Sequence, residues 1–582
     1  MLEKVNSPAD LKSLNLDELN VLANDIRAVL IKKVNETGGH MGPNLCFLEA
    51  TIALHYVFDS PRDKIVFDVS HQCYTHKILT GRKEYFLDPA RYEDISGFTN
   101  PHESAHDQFQ IGHTSTGVSL AYGLAKARDV KGEKYNVVAV VGDGSLTGGE
   151  AFEGLDNAAD LGSNMIVVVN DNDMSIAENH GGLYRHLKEL RDTNGESANN
   201  FFKNLGFEYV FVKDGNDLSE LIKAFEAVKD SARPVVVHLA TQKGHGLQVA
   251  VDNKEAFHWI LPHTLDAKPV REAAEIPENY TSVTVDYLAE KIKSDKRVVA
   301  VTAGTPGATG FSPDFRARAG AQYLDVGICE QHAVAAISGM AKAGVKPVWA
   351  VLSSFIQRTY DQLSQDLALN NNPATILVFW AGISPADATH TGGFDIPLIS
   401  NIPNIVYLAP STKEEYVRML DWATSQNNHP VAIRVPFAEF VSTGVADTTD
   451  YGDLNKFQVV EQGGEVALIG VGDCMGLMRS VKEKLKARGV NATLINPKFV
   501  SGLDAQTLDS LKGTHRLVVT AENGVLDGGF GEKIARYYGA DAMKTLCFGA
   551  KKEFTDRVPM DELLARYRLT PELMTADILN SL

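Results

Sequence analysis

The sequence predicts an α/β fold in three domains, built on mostly parallel sheets covered by helices, and three observations carry that expectation. Short apolar, β-branched runs alternate with longer helical patterns: Val137–Val141, Met165–Asn170, Pro234–Leu239, Val298–Thr302, Val345–Val351, Ile376–Phe379, Ile405–Leu408, Val466–Gly470 and Leu517–Thr520. Continuous apolar strands separated by helices belong to parallel sheets buried on both faces. The chain of 582 residues exceeds what one hydrophobic core holds. Two stretches read as linkers, one from Leu261 to Tyr280, rich in proline and charge, and one from Ser442 to Asn455, polar with little periodicity. They set the domains at 1–265, 280–440 and 455–582.

Composition narrows the partners. An apolar fraction of 44% and a charged fraction of 22% are those of an ordinary soluble protein. A net charge of −18 argues against general affinity for nucleic acid or an anionic membrane, while leaving room for a local basic pocket that takes a phosphate. The five cysteines, Cys46, Cys73, Cys329, Cys474 and Cys547, are scattered and lack metal-finger spacing, which fits a reducing cytoplasm better than a disulfide framework. The first residues show no basic patch followed by an apolar core, and no stretch reaches about 18 uninterrupted apolar residues. The expectation is a cytoplasmic protein whose partners are small molecules and further copies of itself, with no nucleic acid and no membrane.

The chemistry begins where two predicted strands end. After Val141 comes Gly142-Asp143-Gly144-Ser145, and the next buried strand ends at Asn170-Asp171-Asn172. A turn at the carboxyl end of a parallel strand, opening before a helix, can present backbone N–H groups to a diphosphate. Asp143 and Asn172, one at each strand end, could both reach a magnesium ion with hard oxygen ligands. Alone, a Gly-Asp-Gly turn is more often just a tight turn capped by its aspartate. Further along, Glu330 in Ile328-Cys329-Glu330-Gln331-His332 opens an alanine-rich helical pattern, where a carboxylate also favours the helix dipole. Five histidines stand in small polar or glycine-rich surroundings: His40, His71, His113, His258 and His390. Any one of 17 histidines is more often structural than catalytic, yet several at loop sites suit an enzyme that moves protons around a carbanion and an alkoxide. Lys243 follows a strand end and reads equally as a phosphate contact or as a solvated loop lysine.

Taken together, Gly142 to Ser145 with Asn170 to Asn172 resemble the thiamine diphosphate signature of transketolase-type enzymes. The resemblance implies that Asp143, Asn172 and the carbonyl of Met174 hold Mg2+, and that Ile176 is the wedge that bends the cofactor. It also implies that Glu330 hydrogen-bonds the pyrimidine ring nitrogen, with Phe355 stacking on the ring and Arg358 bordering it. By the same likeness, the cofactor lies against His71, Gly112, His113, Gly144, Ser145, Asn172, Ile176, Lys243, Phe355 and Arg358. His40, His71 and His390 would position and protonate the substrates. The first two domains would sandwich the cofactor, and the third would complete a homodimer.

Within that class the segments Ser70-His71-Gln72, Lys77 to Arg82, Gly142 to Glu153, Asn170 to Ile176, Glu330 to Val334 and Gln357 to Gln362 resemble the 1-deoxy-D-xylulose-5-phosphate synthase family. The likeness extends to Glu522-Asn523-Gly524 and Gly528-Gly529-Phe530-Gly531. The family joins pyruvate, after loss of carbon dioxide, to glyceraldehyde 3-phosphate, for isoprenoid, thiamine and pyridoxal synthesis. A transketolase proper, or a paralogue that holds cofactor without turnover, are the alternatives. The second of these should lack Glu330 or the metal ligands, and all are present.

The departures from the family pattern concern the acceptor. The family's Asp-Arg-Ala-Gly is Phe379-Trp380-Ala381-Gly382 here, and its Arg-Tyr-Pro-Arg-Gly is Arg434-Val435-Pro436-Phe437-Ala438. In the family, the two arginines lost to Trp380 and Phe437 grip the acceptor's phosphate. A tyrosine and a serine of the same pocket are Leu352 and Pro43, whereas Asp387 and His390 remain as substrate residues. The insertion after the metal loop is much shortened, since Phe201-Phe202 follows soon after His186. Losing two charge-assisted phosphate contacts predicts an acceptor less anionic than glyceraldehyde 3-phosphate.

Overall fold

The computed structural model describes residues 1–266, 278–437 and 441–582. Most of the stretch from Leu261 to Tyr280, and Ala438, lie outside the described residues. The chain forms two compact units. One is the described part of Met1–Ala274 with Gly327–Cys329, and the other is the described part of Glu275–Val326 with Glu330–Leu582.

The first unit is built on five parallel strands: β1 (Lys64–Phe67), β2 (Val137–Gly142), β3 (Ile166–Asp171), β4 (Glu208–Val212) and β5 (Val235–Ala240), in the order β1-β2-β3-β5-β4. Successive side chains of a strand point to opposite faces. Accordingly, Val137, Ala139 and Val141 enter one apolar cluster, which also takes residues of the helices Gly117–Lys131 and Gly149–Ala159. Val138 and Val140 enter the other, with residues of Leu16–Thr37, Leu48–Val57 and Leu218–Val228. Covered on both sides, the central strands stay apolar up to their ends, apart from His238 on β5, which is buried against Asp171. The sequence pattern misses β1 and β4 because β1 is four residues long and β4, at the sheet edge, is half-exposed.

The second unit holds two sheets. Strands β6 (Val298–Thr302), β7 (Tyr323–Asp325), β8 (Lys346–Leu352), β9 (Thr375–Ala381), β10 (Val406–Leu408) and β11 (Val431–Pro436) pair in parallel in the order β10-β11-β9-β8-β6-β7. Strands β12 (Gln458–Glu461), β13 (Glu465–Gly470), β14 (Thr493–Asn496), β15 (His515–Val525) and β16 (Lys544–Ala550) follow the order β12-β14-β13-β15-β16, in which β12 pairs antiparallel with β14. All nine strands read from the sequence are present, within a residue or two at most ends. Residues 442–450, in the second expected linker, carry no helix or strand.

One apolar cluster joins these two sheets, packing Ile396, Ile399 and Tyr407 with Ile495, Val500 and Phe530. A buried ion network reinforces the join. Arg434 on β11, 1% exposed, pairs through Nε with Asp395 Oδ2 at 2.7 Å and through Nη1 with Asp473 Oδ1 at 3.4 Å. Its Nη2 donates to the carbonyl of Asn523, and the Tyr407 hydroxyl donates to Asp395. Removing one partner of a buried pair strands the other charge in a medium that cannot solvate it, a loss of about 3–5 kcal/mol. Arg434→Met should therefore lower the unfolding free energy obtained from urea titration by that amount, seen as a lower midpoint at unchanged slope. Arg434→Met combined with Asp395→Leu should recover much of the loss; equal midpoints for parent and single variant would show that the pair is dispensable.

Candidate active site

In the first unit the parallel register does the assembling. Gly142 pairs with Asn170 across β2 and β3, so the residues that follow each strand emerge side by side at the same edge. The Asp143 amide donates to the Asn170 carbonyl (3.1 Å), and Asp143 Oδ2 accepts from the Met174 amide (3.1 Å) and from Asn179 Nδ2 (3.3 Å). Burial, and then the charge of Asp171, push the Asp143 carboxyl up to about 7. Asp171 is also buried, but hydrogen bonds from His238 (2.8 Å) and Arg191 (2.6 Å) overcome that and hold its carboxyl below the ordinary range. An anion kept buried beside another anion is the environment a divalent cation relieves.

The neutral donors fit the same ion. Asn172 Oδ1 is buried and has no hydrogen-bond partner among the described residues; the same holds for Ser175 Oγ and Asn179 Oδ1. No group of three His, Cys, Asp or Glu side chains stands at metal spacing among the described residues. A metal here would rely on one carboxylate, neutral oxygens and the ligand's own phosphates. Ile176 is half-buried on the same loop.

The turn that would face the phosphates is tightly built. Ser145 opens a short 3-10 turn, and the helix Gly149–Ala159 follows. A Cβ on Gly148 would stand 2.1 Å from Ser115 Oγ, so this position excludes any side chain. The loop carrying Gly112 and His113 is tied alongside: Ser115 Oγ donates to the Ser145 carbonyl (2.8 Å), and Asp68 accepts from the amides of Ser115 (3.0 Å) and Gly117 (2.7 Å). Lys243, just beyond β5, is buried rather than solvated, with Nζ donating to the Ser175 carbonyl at 2.5 Å. Burial lowers its ammonium to about 8, with Asp143 opposing that shift.

Three imidazoles converge nearby. The ring centroids of His40 and His71 lie 5.0 Å apart, and His258 stands 5.5 Å from each. Asn44 Nδ2 donates to the carbonyls of His40 (2.7 Å) and His71 (2.8 Å) and so ties their two loops together. Burial, followed by the charge of Lys243 and the neighbouring histidines, holds His258 well below the ordinary imidazole range. Asn44 escaped the sequence reading because nothing local marks it. His258 was recognisable only as one loop histidine among several, with no sign that it would join His40 and His71.

The second unit carries its own constellation. Glu330 begins the helix Glu330–Lys342 and is buried. Burial raises its carboxyl pKa, and Arg358, whose Nη1 donates to Glu330 Oε2 at 3.2 Å, opposes that rise. A carboxyl held toward its protonated form can donate to a ring nitrogen. Phe355 meets His390 edge to face, with centroids 5.5 Å apart. His390 Nδ1 lies 3.1 and 3.2 Å from the two oxygens of Asp387. Burial of Asp387 is outweighed by His390 and Thr389, which bring its carboxyl down to about 2.

Trp380 and Phe437 meet for the same reason as the metal loop residues: β9 and β11 are neighbours, with Ala381 paired to Pro436. Their rings pack edge to face at 6.3 Å, and they remain 40% and 43% exposed. Leu352, buried, ends the adjacent strand β8. Gly382, at φ +103°, sits where a Cβ would meet Asn523 Nδ2 at 2.6 Å, and Asn523 Oδ1 accepts the Ile383 amide at 2.7 Å.

Oxygen donors arranged around an under-neutralised carboxylate, together with a buried glutamic acid that opens a helix beyond a parallel sheet, define a thiamine diphosphate enzyme of the transketolase type. Residues 2–198 and 193–241 match the family model for 1-deoxy-D-xylulose-5-phosphate synthase, residues 279–439 that for the transketolase pyrimidine binding domain, and residues 455–574 that for the transketolase C-terminal domain. The 1-deoxy-D-xylulose-5-phosphate synthase of Pelotomaculum thermopropionicum is 38% identical over 100% of this chain and 96% of its own. That of Symbiobacterium thermophilum is 39% identical over 98% and 93%. The transketolase of Campylobacter jejuni superposes at a TM-score of 0.46 with 16% identity, over 97% of this chain and 100% of its own. The chain belongs to the 1-deoxy-D-xylulose-5-phosphate synthase family. It is a thiamine diphosphate-dependent transferase that uses a divalent metal ion such as Mg2+ and passes two carbons of decarboxylated pyruvate to an aldehyde.

Two outcomes are expected. Asp143→Ala should raise the Mg2+ concentration needed for cofactor binding by at least about tenfold in calorimetric titration; an unchanged titration would remove Asp143 from the metal site. Glu330→Gln should fold and bind cofactor yet lose about 10²–10⁴ in turnover, with the loss appearing in proton exchange at the cofactor's thiazolium carbon. Unchanged exchange would place the activating acid elsewhere.

Proposed function

We propose that this enzyme prefers an acceptor aldehyde less anionic than glyceraldehyde 3-phosphate. The observation that carries the reading is the aromatic pair Trp380 and Phe437, where the family resemblance places phosphate-gripping guanidiniums, combined with the fate of the remaining arginines. Arg434 is buried and already engaged by Asp395, Asp473 and Asn523. Arg358 is paired with Glu330. A phosphate dianion brought against two rings loses hydration without gaining a cation, whereas an uncharged aldehyde gains apolar contact.

When bound, thiamine diphosphate supplies the acidic carbon at which pyruvate is taken up and decarboxylated. Asp143, Asn172 and the Met174 carbonyl would hold the metal, and Gly144, Ser145, Lys243 and the Gly112-His113 loop would bind the diphosphate. Glu330 would supply the carboxyl that hydrogen-bonds the pyrimidine nitrogen, and Phe355 would stack on that ring. His40, His71 and His258 move protons at the substrate oxygens, His258 acting as a neutral imidazole. Asp387 fixes the tautomer of His390, so that Nδ1 carries the proton and Nε2 accepts one. The working enzyme is a cytoplasmic homodimer with domains at 1–265, 280–440 and 455–582. Among the described residues no helix is long and apolar enough to cross a membrane.

The test compares kcat/KM for glyceraldehyde 3-phosphate with that for unphosphorylated aldehydes, following carbon dioxide release from pyruvate. The parent should favour the unphosphorylated acceptors. Trp380→Arg with Phe437→Arg should raise the value for the phosphorylated one about tenfold or more, as charge-assisted hydrogen bonds allow. Arg557 belongs in the comparison, since its amide donates to the Ala386 carbonyl (2.9 Å) beside Asp387, while its guanidinium lies 3.5 Å from Asp556. A large parental preference for the phosphorylated acceptor that Arg557→Met abolishes would overturn the proposal.

A further inference from the structure

We infer that Cys46 is a positioning residue for the metal site: its sulfur accepts the side-chain N–H of Asn172 and thereby turns that amide's oxygen toward the metal. The inference rests on reading Asn172 as a metal ligand. A primary amide has two ends of nearly equal size and opposite chemistry, and only the oxygen can bind a hard cation. Packing alone does not choose between them. The choice falls to whatever the nitrogen can bond.

That bond is to a thiol. Asn172 Nδ2 donates to Cys46 Sγ at 3.5 Å, and Oδ1 is left buried without a hydrogen-bond partner among the described residues. Had the amide been reversed, its oxygen would face the sulfur, and the two N–H groups would point into the position where a cation binds. The surroundings of Cys46 prepare its sulfur as an acceptor. The Thr241 hydroxyl donates to Asn170 Oδ1 at 2.6 Å, which commits that oxygen and sets Asn170 Nδ2 3.4 Å from the same sulfur. The thiol's own hydrogen has Asn170 Oδ1 at 3.6 Å and Thr241 Oγ1 at 3.4 Å as acceptors.

The sulfur itself is held in place. Cys46 ends the short helix Gly42–Cys46, is fully buried, and accepts Asn216 Nδ2 on its carbonyl at 3.0 Å. Asn170 stands near the end of β3 and Thr241 directly follows the neighbouring β5, so two separate segments converge on one thiol. Partners of this kind orient metal ligands without touching the ion.

The experiment titrates Mg2+ into Cys46→Ser, Cys46→Val, Cys46→Ala and Asp143→Ala at a fixed thiamine diphosphate concentration, reading cofactor binding by calorimetry, with melting curves of the metal-free proteins alongside. The hydroxyl of Cys46→Ser accepts a hydrogen bond, so this variant should stay within about threefold of the parent. Cys46→Val fills the space without accepting, and like Cys46→Ala it should need about tenfold more Mg2+. If Val matches the parent while Ser does not, Cys46 only fills space and the inference fails. If all three match the parent while Asp143→Ala weakens binding, the inference fails and the metal site stands. If Asp143→Ala also matches the parent, the metal site itself is wrong and the inference falls with it.

Discussion

A parallel sheet covered by helices on both faces leaves its chain one outlet for polar chemistry, the edge where the strands end. In the first unit the valines of β2 and β3 fill two apolar clusters, and the first carboxylate after β2 is Asp143. The parallel register then brings Asp143 beside the Asn170–Asn172 turn without any special contact being needed. The same rule operates in the second unit, where Leu352 ends β8, Trp380 is the last residue but one of β9, and Phe437 follows directly after β11. Both constellations are consequences of strand alignment, with loops supplying the chemistry.

The buried carboxylates differ in how much counter-charge the protein provides. Asp171 and Asp395 are buried and paired, the first with Arg191 and His238, the second with Arg434. Asp143 is buried with only an amide N–H from the backbone, an asparagine and a distant lysine, and Glu330 is buried with one guanidinium at 3.2 Å. Each of these two carboxyls is raised by burial.

The proposed change of acceptor rests on side chains alone, since the strands that carry them keep their places in the sheet. The strands, the Asp387–His390 pair and the turn at Gly382 are all retained as positioning elements. Trp380 and Phe437 are aromatic where the family resemblance implies arginines, and Leu352 and Pro43 stand where it implies a tyrosine and a serine. Arg434 keeps its place in the sequence pattern yet serves the join between two sheets, so its presence says nothing about anion binding.

The sequence by itself determined the α/β class, the nine apolar strands, and Asp143, Asn172 and Glu330 as candidates. Continuous valine runs and strand-end motifs are local, and local patterns survive without knowing what they pack against. Seven strands were not read: the short or edge strands β1, β4, β7, β12, β14 and β16, in which few residues or one exposed side leave little pattern, and β11, a fully buried strand whose run is broken by Arg434. Only the tertiary structure decided that Lys243 is buried, that Arg434 is spent in a buried network, that His258 joins His40 and His71, and that a cysteine faces the Asn172 amide. Each of these depends on partners distant in sequence. The role of a polar side chain is set by what stands within about 3 Å of it, and only folding brings those groups together.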